Sequence, residues 1–191
     1  NEQMILLAKE IHKKRTTFLD EFIPVFQKHY DSIGSENEQV HLVYKSQLND
    51  APMERLLVEY ERKDVFTRYS NAGIHKDDLI FEIKGHPVKK FGSQGQQKSF
   101  LIALRLAQYE WLKEHLGVLP ILLLDDIFDK LDHTRVERLM KLVANNYFGQ
   151  VLVTDTDAHR VQTIFGESDL KATIFSVEDG KVKQLIESEA I

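Results

Sequence analysis

The sequence of 191 residues contains no cysteine, and it has only four prolines and one tryptophan. The lack of cysteine excludes disulfide scaffolds, cysteine nucleophiles and thiolate zinc sites. No run of apolar residues approaches the roughly 20 that a membrane-spanning helix needs. No leader with basic, apolar and small-residue regions opens the chain, so no export signal is recognised. We therefore expect a cytoplasmic protein without a membrane partner.

The composition that remains is that of an ordinary globular chain. Hydrophobic residues make up 42% and charged residues 29%, which excludes collagen-like, low-complexity and wholly disordered chains. The net charge of -5 argues against a uniformly basic surface, although a local basic patch is compatible with it. The length favours one or two domains with a sizeable core.

Residues 1–73 are predicted to form a mainly helical arm. Apolar residues at helical spacing predict a long first helix, which Pro24 is expected to kink or to end. Alternation over residues 40–44 predicts a short strand. A second helix is expected to begin at Asp50-Ala51-Pro52, with Asp50 as its cap, and to end near Gly73.

Residues 74–191 alternate strand and helix, which predicts an α/β fold. Strands are expected at residues 79–83, 121–124 and 151–153, helices at about 95–115 and 136–147, and a hairpin around Asp179-Gly180. Because the strand 121–124 is apolar at every position, it is predicted to be a parallel strand buried on both faces.

Two acids follow the apolar strand Ile121–Leu124. Asp125 and Asp126 would lie at the carboxyl end of a buried strand, where open α/β sheets bind their ligands. One carboxylate could hold a phosphate-bound Mg²⁺ ion, and the second could orient or deprotonate the water that attacks a phosphoryl group. Alternatively, the acids only cap a strand that reaches solvent. A third alternative is the metal-binding motif of isoprenoid synthases, with Asp129 as third acid, but that motif lies on a helix.

A glycine-containing turn precedes the helix at 95–115. Ser93 and Gln96 have the spacing of a capping box, which by itself would only start the helix. Gly92 and Gly95 remove side chains from this turn, so that a phosphate could reach backbone N–H groups at the helix N-terminus.

The order of these motifs resembles the head of an ABC-type ATPase. The segment Ser93-Gln94-Gly95-Gln96-Gln97 is similar to the signature motif, the strand that ends in Asp125-Asp126 to Walker B, and Leu131-Asp132 to the D-loop. Within that class the chain resembles the RecF family, which also has the pattern seen at Gly73-Ile74-His75-Lys76-Asp77-Asp78, with Arg where this chain has Lys76. The implied fold is the C-terminal lobe of an ABC-type head, with residues 1–73 as its arm.

The resemblance implies that ATP is bound between two copies of the head. Asp125 would help to hold Mg²⁺, and Asp126 would be the general base of its own subunit. The residues implied to contact nucleotide are Ser93, Gln94, Gly95, Gln96, Asp132 and Thr156, with Asp132 at the dimer seam. Thr156 is the candidate for sensing the γ-phosphate, because Thr154-Asp155-Thr156-Asp157 takes the place of the switch histidine of other ABC proteins.

The implied partners are DNA at gaps or junctions, RecR-like and RecO-like proteins, and a second copy in an ATP-dependent homodimer. The implied role is DNA replication, recombinational repair and the SOS response. Lys89, Lys90 and Lys98 flank the signature turn and are either phosphate contacts or a solvated surface.

The phosphate-binding lysine loop, Walker A, does not occur in the sequence. The one Gly-Lys pair is Gly180-Lys181, and Val182 follows it where Ser or Thr is required. We therefore expect a C-terminal part of a longer chain that binds ATP poorly by itself and does not hydrolyse it. A non-catalytic partner-binding module and a fragment of an SMC-like head, whose long coiled coil is not seen here, are the alternatives.

Overall fold

The computed structural model describes residues 2–34, 38–144, 147–166 and 172–187. The helices are α1 (Glu2–Ile33), α2 (Met53–Thr67), α3 (Val88–Phe91), α4 (Gln94–Leu116), α5 (His133–Ala144) and α6 (Ala158–Gly166). The strands are β1 (Val40–Lys45), β2 (Asp78–Ile83), β3 (His86–Pro87), β4 (Leu122–Asp125), β5 (Val151–Thr154), β6 (Thr173–Glu178) and β7 (Lys181–Glu187). No helix in these ranges is both long enough and apolar enough to cross a bilayer.

The first helix is continuous. It passes through Pro24 and reaches Ile33, so of the two expected effects of the proline, an end of the helix is excluded, and a kink stays a prediction. Its buried aromatic residues Phe22, Phe26 and Tyr30 recur every four residues, which places them on one face. The second helix begins as expected near residue 52, but its N-cap is Pro52 and not Asp50.

An antiparallel sheet connects the predicted arm with the predicted lobe. β1 pairs with β2 from Val40 opposite Ile83 to Lys45 opposite Asp78, and β3 pairs with the other edge of β2. One strand of this sheet comes from residues 1–73 and two come from residues 74–191. The division at Gly73 stays a prediction, and both predicted strands are confirmed.

Helix α4 lies between two hydrophobic cores. Ile102 and Leu106 belong to a core formed with β4 and α5, whereas Phe100 and Ala103 belong to a second core formed with α1 and β1. Because both sides of α4 are covered, its axis and the position of its first turn are fixed by packing from two directions.

Strands β4 and β5 are parallel, with Asp125 opposite Thr154. Leu122 and Leu124 are buried, but Leu123 is 65% exposed and Leu152 of β5 is 49% exposed. The prediction that this strand is buried on both faces is therefore wrong, because the described helices cover only one face. The predicted hairpin at Asp179-Gly180 is confirmed, and it joins β6 to β7.

Candidate nucleotide-binding surface

The acid pair lies at the carboxyl end of β4, outside any helix. Asp125 is the last residue of the strand, and its carboxylate accepts a hydrogen bond from the Thr154 hydroxyl on β5. Asp125 and Asp126 are both exposed. The helical motif of the isoprenoid synthases is thereby excluded, and two carboxylates are available at the rim of a parallel sheet.

The backbone of Asp126 is held in a left-handed conformation with φ of 47°. Its N–H donates to the carbonyl oxygen of Thr154 at 3.1 Å and to the Thr154 hydroxyl at 3.2 Å. Its carbonyl oxygen accepts from the Lys98 ammonium of α4 at 2.6 Å. A non-glycine residue in this region costs on the order of 1 kcal/mol or more, so these contacts are needed to fix the direction of the acid. Lys98, a candidate phosphate contact in the sequence, therefore has a partner within the chain.

The acid pair has the oxygen ligands that a nucleotide-bound Mg²⁺ ion requires. Such an ion takes one or two carboxylates and completes its shell with phosphate oxygens and waters. Within the described ranges, no three or more His, Asp or Glu side chains converge as a metal-binding group. Asp125, with Thr154 beside it, fits the role of a single carboxylate ligand to a metal that phosphates also hold.

The signature turn forms the predicted capping box at the start of α4. The Ser93 hydroxyl accepts from the Gln96 N–H at 3.2 Å, and the Gln96 side-chain oxygen accepts from the Ser93 N–H at 2.8 Å. Ser93 and Gln94 are exposed, so the N-terminus of this 23-residue helix is open to a ligand.

Both glycines of the turn pack against backbone. A Cβ atom at Gly92 would lie 2.8 Å from the carbonyl oxygen of Val88, and one at Gly95 would lie 3.1 Å from that of Lys130. The absence of a side chain at Gly95 therefore allows the signature turn to contact the segment between β4 and α5. Whether Gly95 also contacts nucleotide stays a prediction.

Asp132 caps α5 and binds an arginine of that helix. Its carboxylate accepts from the Arg135 backbone N–H at 2.9 Å and from Arg135 Nε at 3.1 Å. The Asp132 side chain is 62% exposed, whereas that of Arg135 is 10% exposed. The buried guanidinium of Arg135 thus holds the exposed carboxylate of Asp132 at the surface.

A buried carboxylate, Glu38, connects Arg135 to the signature turn. Its Oε1 accepts from Arg135 Nη2 at 2.6 Å and from Gln96 Nε2 at 2.9 Å, and its Oε2 accepts from the Tyr30 hydroxyl at 2.9 Å. Burial alone would raise the pKa of Glu38, but the hydrogen bonds from Arg135, Gln96 and Tyr30 outweigh it and hold the pKa at about 2. Glu38 is therefore ionised at neutral pH. We call this cluster the Glu38–Arg135 network; its members are Tyr30, Glu38, Gln96, Ser99, Asp132 and Arg135.

The end of β5 and the loop after it place two threonines differently. Thr154 contacts the acid pair, whereas Thr156 lies exposed in the loop before α6. Asp155, between the two threonines, accepts from Arg160 Nη2 at 2.9 Å. Asp157, after Thr156, accepts from backbone N–H groups at the start of α6. The role of Thr156 as a γ-phosphate sensor stays a prediction.

The structure brings the predicted site residues into two groups. Asp125 and Asp126 lie at the sheet rim, and Ser93, Gln96 and Asp132 lie at the edge formed by the signature turn and the D-loop. Sequence reasoning missed three supporting residues, Glu38, Arg135 and Thr154, and it did not foresee that Lys98 would bind the Asp126 carbonyl oxygen. Only the i,i+3 spacing of Asp132 and Arg135 could have been recognised from the sequence.

Comparisons with known proteins relate this chain to RecF proteins. No protein-family model matches it. The RecF protein of Flavobacterium johnsoniae is 51% identical over 177 residues, which are 93% of this chain and 49% of that protein. The RecF protein of Phocaeicola vulgatus is 45% identical over 185 residues, 96% of this chain and 50% of that protein. The chain thus spans about half the length of the curated relatives it matches.

Solved structures give the same relationship at the level of the fold. The recombination mediator protein RecF-ATP of the RecFOR pathway superposes with a TM-score of 0.69 at 23% identity, over 97% of this chain and 49% of that chain. An SMC head bound to the C-winged helix domain of ScpA superposes with a TM-score of 0.55 at 15% identity, over 95% of this chain and 49% of that chain. These likenesses confirm the α/β fold of an ABC-type ATPase head. The sequence identities show that this chain matches RecF proteins over nearly all of its own length and over about half of theirs.

Proposed function

We propose that this chain is the signature, Walker B and D-loop part of a DNA replication and repair ATPase of the RecF type. The observation that carries the proposal is the acid pair at the exposed end of a parallel strand, in the same chain as an exposed helix N-terminus headed by Ser93. Neither surface alone can enclose a nucleotide. Two copies arranged head to head would bring one surface of each to the same ATP molecule.

In the closed dimer, Ser93 and Gly95 of one subunit face the γ-phosphate that the other subunit holds, with Gln94 and Gln96 beside them. The sequence has no phosphate-binding lysine loop, so that loop comes from residues outside these 191. By itself the chain then binds ATP weakly and does not hydrolyse it. Mg²⁺, when bound beside Asp125, would neutralise developing charge on the phosphates.

The proposed chemistry is hydrolysis of the γ-phosphoryl group. Asp126 accepts a proton from a water molecule whose oxygen bonds to the γ-phosphorus, while the bond to the bridging oxygen of ADP breaks. The fixed backbone of Asp126 supports this role, because its contacts with Thr154 and Lys98 aim the carboxylate. Asp132 lies at the dimer seam, and Thr156 senses the γ-phosphate.

The proposed setting is the cytoplasm, on DNA at gaps or junctions between single and double strands. The name of the RecF relatives and the RecFOR pathway of the solved RecF structure support recombination-mediator partners of the RecR and RecO type. ATP would favour the closed dimer on DNA, and hydrolysis would dissolve it.

A second candidate function is that of a partner-binding module without catalysis. One observation favours it: α2 carries exposed apolar side chains, with Val58 76%, Val65 75% and Phe66 88% exposed. An exposed apolar surface of this kind is typical of protein interaction sites. The same surface could also serve an active enzyme, so measured turnover decides between the two functions.

The test is Asp126→Asn in the full-length protein that carries this segment. We expect ATP turnover to fall about a hundredfold or more, the usual effect of removing a general base, while ATP-induced dimers persist. Asp179→Asn is the matched control, because Asp179 also follows a strand, is exposed and has φ of 48°. Turnover that is unchanged in Asp126→Asn would refute the general base and favour the binding module.

A further inference from the structure

The Glu38–Arg135 network joins segments that are far apart in the sequence. Glu38 precedes β1, Ser99 lies in the second turn of α4, and Arg135 lies in the first turn of α5. Glu38 and Arg135 are separated by 97 positions. Their side chains are only 7% and 10% exposed, so this is a buried ion pair in the interior between these elements.

Arg135 uses its guanidinium to bind three elements at once. Nε donates to Asp132 at 3.1 Å, Nη1 donates to the Ser99 hydroxyl at 2.8 Å, and Nη2 donates to Glu38 at 2.6 Å. The guanidinium is planar and rigid, so these bonds fix the angles between their partners as well as the distances. A lysine could not make them together, because its ammonium is a single point of charge.

The Gln96 side chain continues the connection to the signature serine. Its Nε2 donates to Glu38, and its Oε1 accepts from the Ser93 backbone N–H. The orientation of this amide is therefore set by Glu38, and it in turn fixes the backbone of Ser93. A continuous path of hydrogen bonds runs from Ser93 through Gln96, Glu38 and Arg135 to Asp132.

Direct backbone packing runs alongside this path. A Cβ atom at Gly95 would lie 3.1 Å from the carbonyl oxygen of Lys130, so the signature turn touches the residue that directly precedes the D-loop. The Arg138 guanidinium also donates to the carbonyl oxygen of Gly34, which ties the end of α1 to α5. The signature turn is therefore connected to the D-loop through side chains and to the residue before the D-loop through backbone packing.

The burial of full charges at this place needs an explanation beyond stability. Desolvation of an ion pair cancels much of its attraction, and an apolar replacement of similar volume is often equally stable. What charged hydrogen bonds add is a fixed geometry. Here that geometry relates Ser93 to Asp132, the two exposed groups at opposite ends of the path.

We propose that Arg135 and Glu38 are positioning residues that hold Ser93 and Asp132 as one rigid edge, so that both meet the opposite subunit's nucleotide in a single docking step. Neither residue touches ATP. The inference rests on the proposed function, because it assigns a role in the ATP-dependent dimer. It adds that closure depends on a buried ion pair located behind the nucleotide-facing surface.

The test uses Arg135→Lys and Glu38→Gln in the full-length protein. ATP affinity of the monomer, the ATP-dependent monomer–dimer equilibrium, kcat, KM and the thermal unfolding midpoint are measured for each variant. Glu137→Gln is the matched control, because it removes an exposed carboxylate of the same helix, one that pairs with Lys141 at 2.6 Å and is not part of the network. Ser99→Ala, which removes one acceptor of Arg135, is the milder variant if the others fold poorly.

We expect dimer affinity and kcat to fall about tenfold to a hundredfold in Arg135→Lys and Glu38→Gln, as for other losses of positioning. Monomer ATP affinity should stay within about twofold, because the network lies outside the subunit's own nucleotide site. If Arg135 and Glu38 had only a structural role, their variants would have a lower unfolding midpoint, but the folded variants would dimerise with unchanged affinity. That result would overturn the inference.

The proposed function and this inference fail in different ways. If the wild-type protein neither dimerises with ATP nor hydrolyses it, the proposed function fails and the inference falls with it. If the wild-type protein does both, Asp126→Asn abolishes turnover, and the folded network variants dimerise normally, only the inference fails. Equal loss of dimerisation in Glu137→Gln would also overturn it, because the effect would then belong to any charge on α5.

Discussion

The acid pair at the end of β4 and the Glu38–Arg135 network both carry charge, but they use it differently. Asp125 and Asp126 are exposed and are supported mainly through Thr154 and the backbone. Glu38 is 7% exposed and accepts hydrogen bonds from Arg135, Gln96 and Tyr30. The comparison teaches that the carboxylates assigned to chemistry are exposed to solvent, whereas the ion pair assigned to positioning is buried.

The largest difference between the two regions is expected in stability. Arg135→Met leaves Glu38 buried without its cation, which should lower the free energy of unfolding by about 3–5 kcal/mol. Asp125→Asn, at the exposed rim, should change it by less than about 1 kcal/mol. Urea denaturation of the full-length variants measures both. A small effect of Arg135→Met would mean that the network is not the rigid region that the comparison assumes.

The next largest effect is a loss of folding stability at low pH. The pKa of Glu38 is about 2 in the folded protein, below its ordinary value of 4.5. The stabilisation from this shift is complete above the ordinary pKa and is lost as pH falls from about 4.5 towards 2. It amounts to at most about 3 kcal/mol.

This acid-dependent loss should be absent from Glu38→Gln and present in Asp126→Asn. The measurement is the free energy of unfolding of the full-length variants between pH 6 and pH 2. If Glu38→Gln loses stability over that interval as steeply as the wild type does, other carboxylates are responsible for it.

A smaller effect distinguishes two roles of Ser93, namely capping of α4 and contact with nucleotide. Ser93→Ala removes the side-chain acceptor of the capping box and should cost about 1 kcal/mol of stability. Ser93→Asp keeps a capping oxygen, so stability should be retained, but its charge would oppose a γ-phosphate and weaken ATP-induced dimers. Thermal unfolding and sedimentation measure the two properties separately. Normal ATP-induced dimers in Ser93→Asp would show that the serine only starts α4.

The smallest expected effect distinguishes the two threonines near the rim. Thr154→Val removes the hydroxyl that contacts Asp125 and Asp126, and it should cost about 0.5–1 kcal/mol of stability. Thr156→Val should leave stability unchanged, because Thr156 is exposed. If Thr156 senses the γ-phosphate, its variant should instead lower turnover. ATP turnover and the free energy of unfolding are measured for both variants. If Thr154→Val and Thr156→Val change both quantities equally, the two threonines do not have different roles.

The sequence was sufficient for the parts of the site that depend on local patterns. The capping box of Ser93 and Gln96 follows from residue types three positions apart, and the location of Asp125-Asp126 follows from the apolar strand before it. The hairpin at Asp179-Gly180 is also a local signal. These predictions needed no knowledge of what packs against them.

The sequence was not sufficient where the answer depends on tertiary neighbours. Glu38 and Arg135 are 97 positions apart, and nothing in either segment identifies the other as its partner. Leu123 was expected to be buried because its strand is apolar throughout, but burial depends on which elements cover each face. Thr154 and Thr156 have the same side chain, and only the register with β4 places Thr154 beside the acids.

The most direct test of the account is a mixture of two inactive variants of the full-length protein, Asp126→Asn and Ser93→Asp. Each mixed dimer would contain one site with a wild-type Asp126 from one subunit and a wild-type Ser93 from the other. The account predicts that mixing equal amounts restores up to about a quarter of the wild-type turnover, since half of the dimers are mixed and each has one intact site. Turnover no higher than the mean of the two separate variants would contradict it, because Ser93 and Asp126 would then not act on the same nucleotide from different subunits.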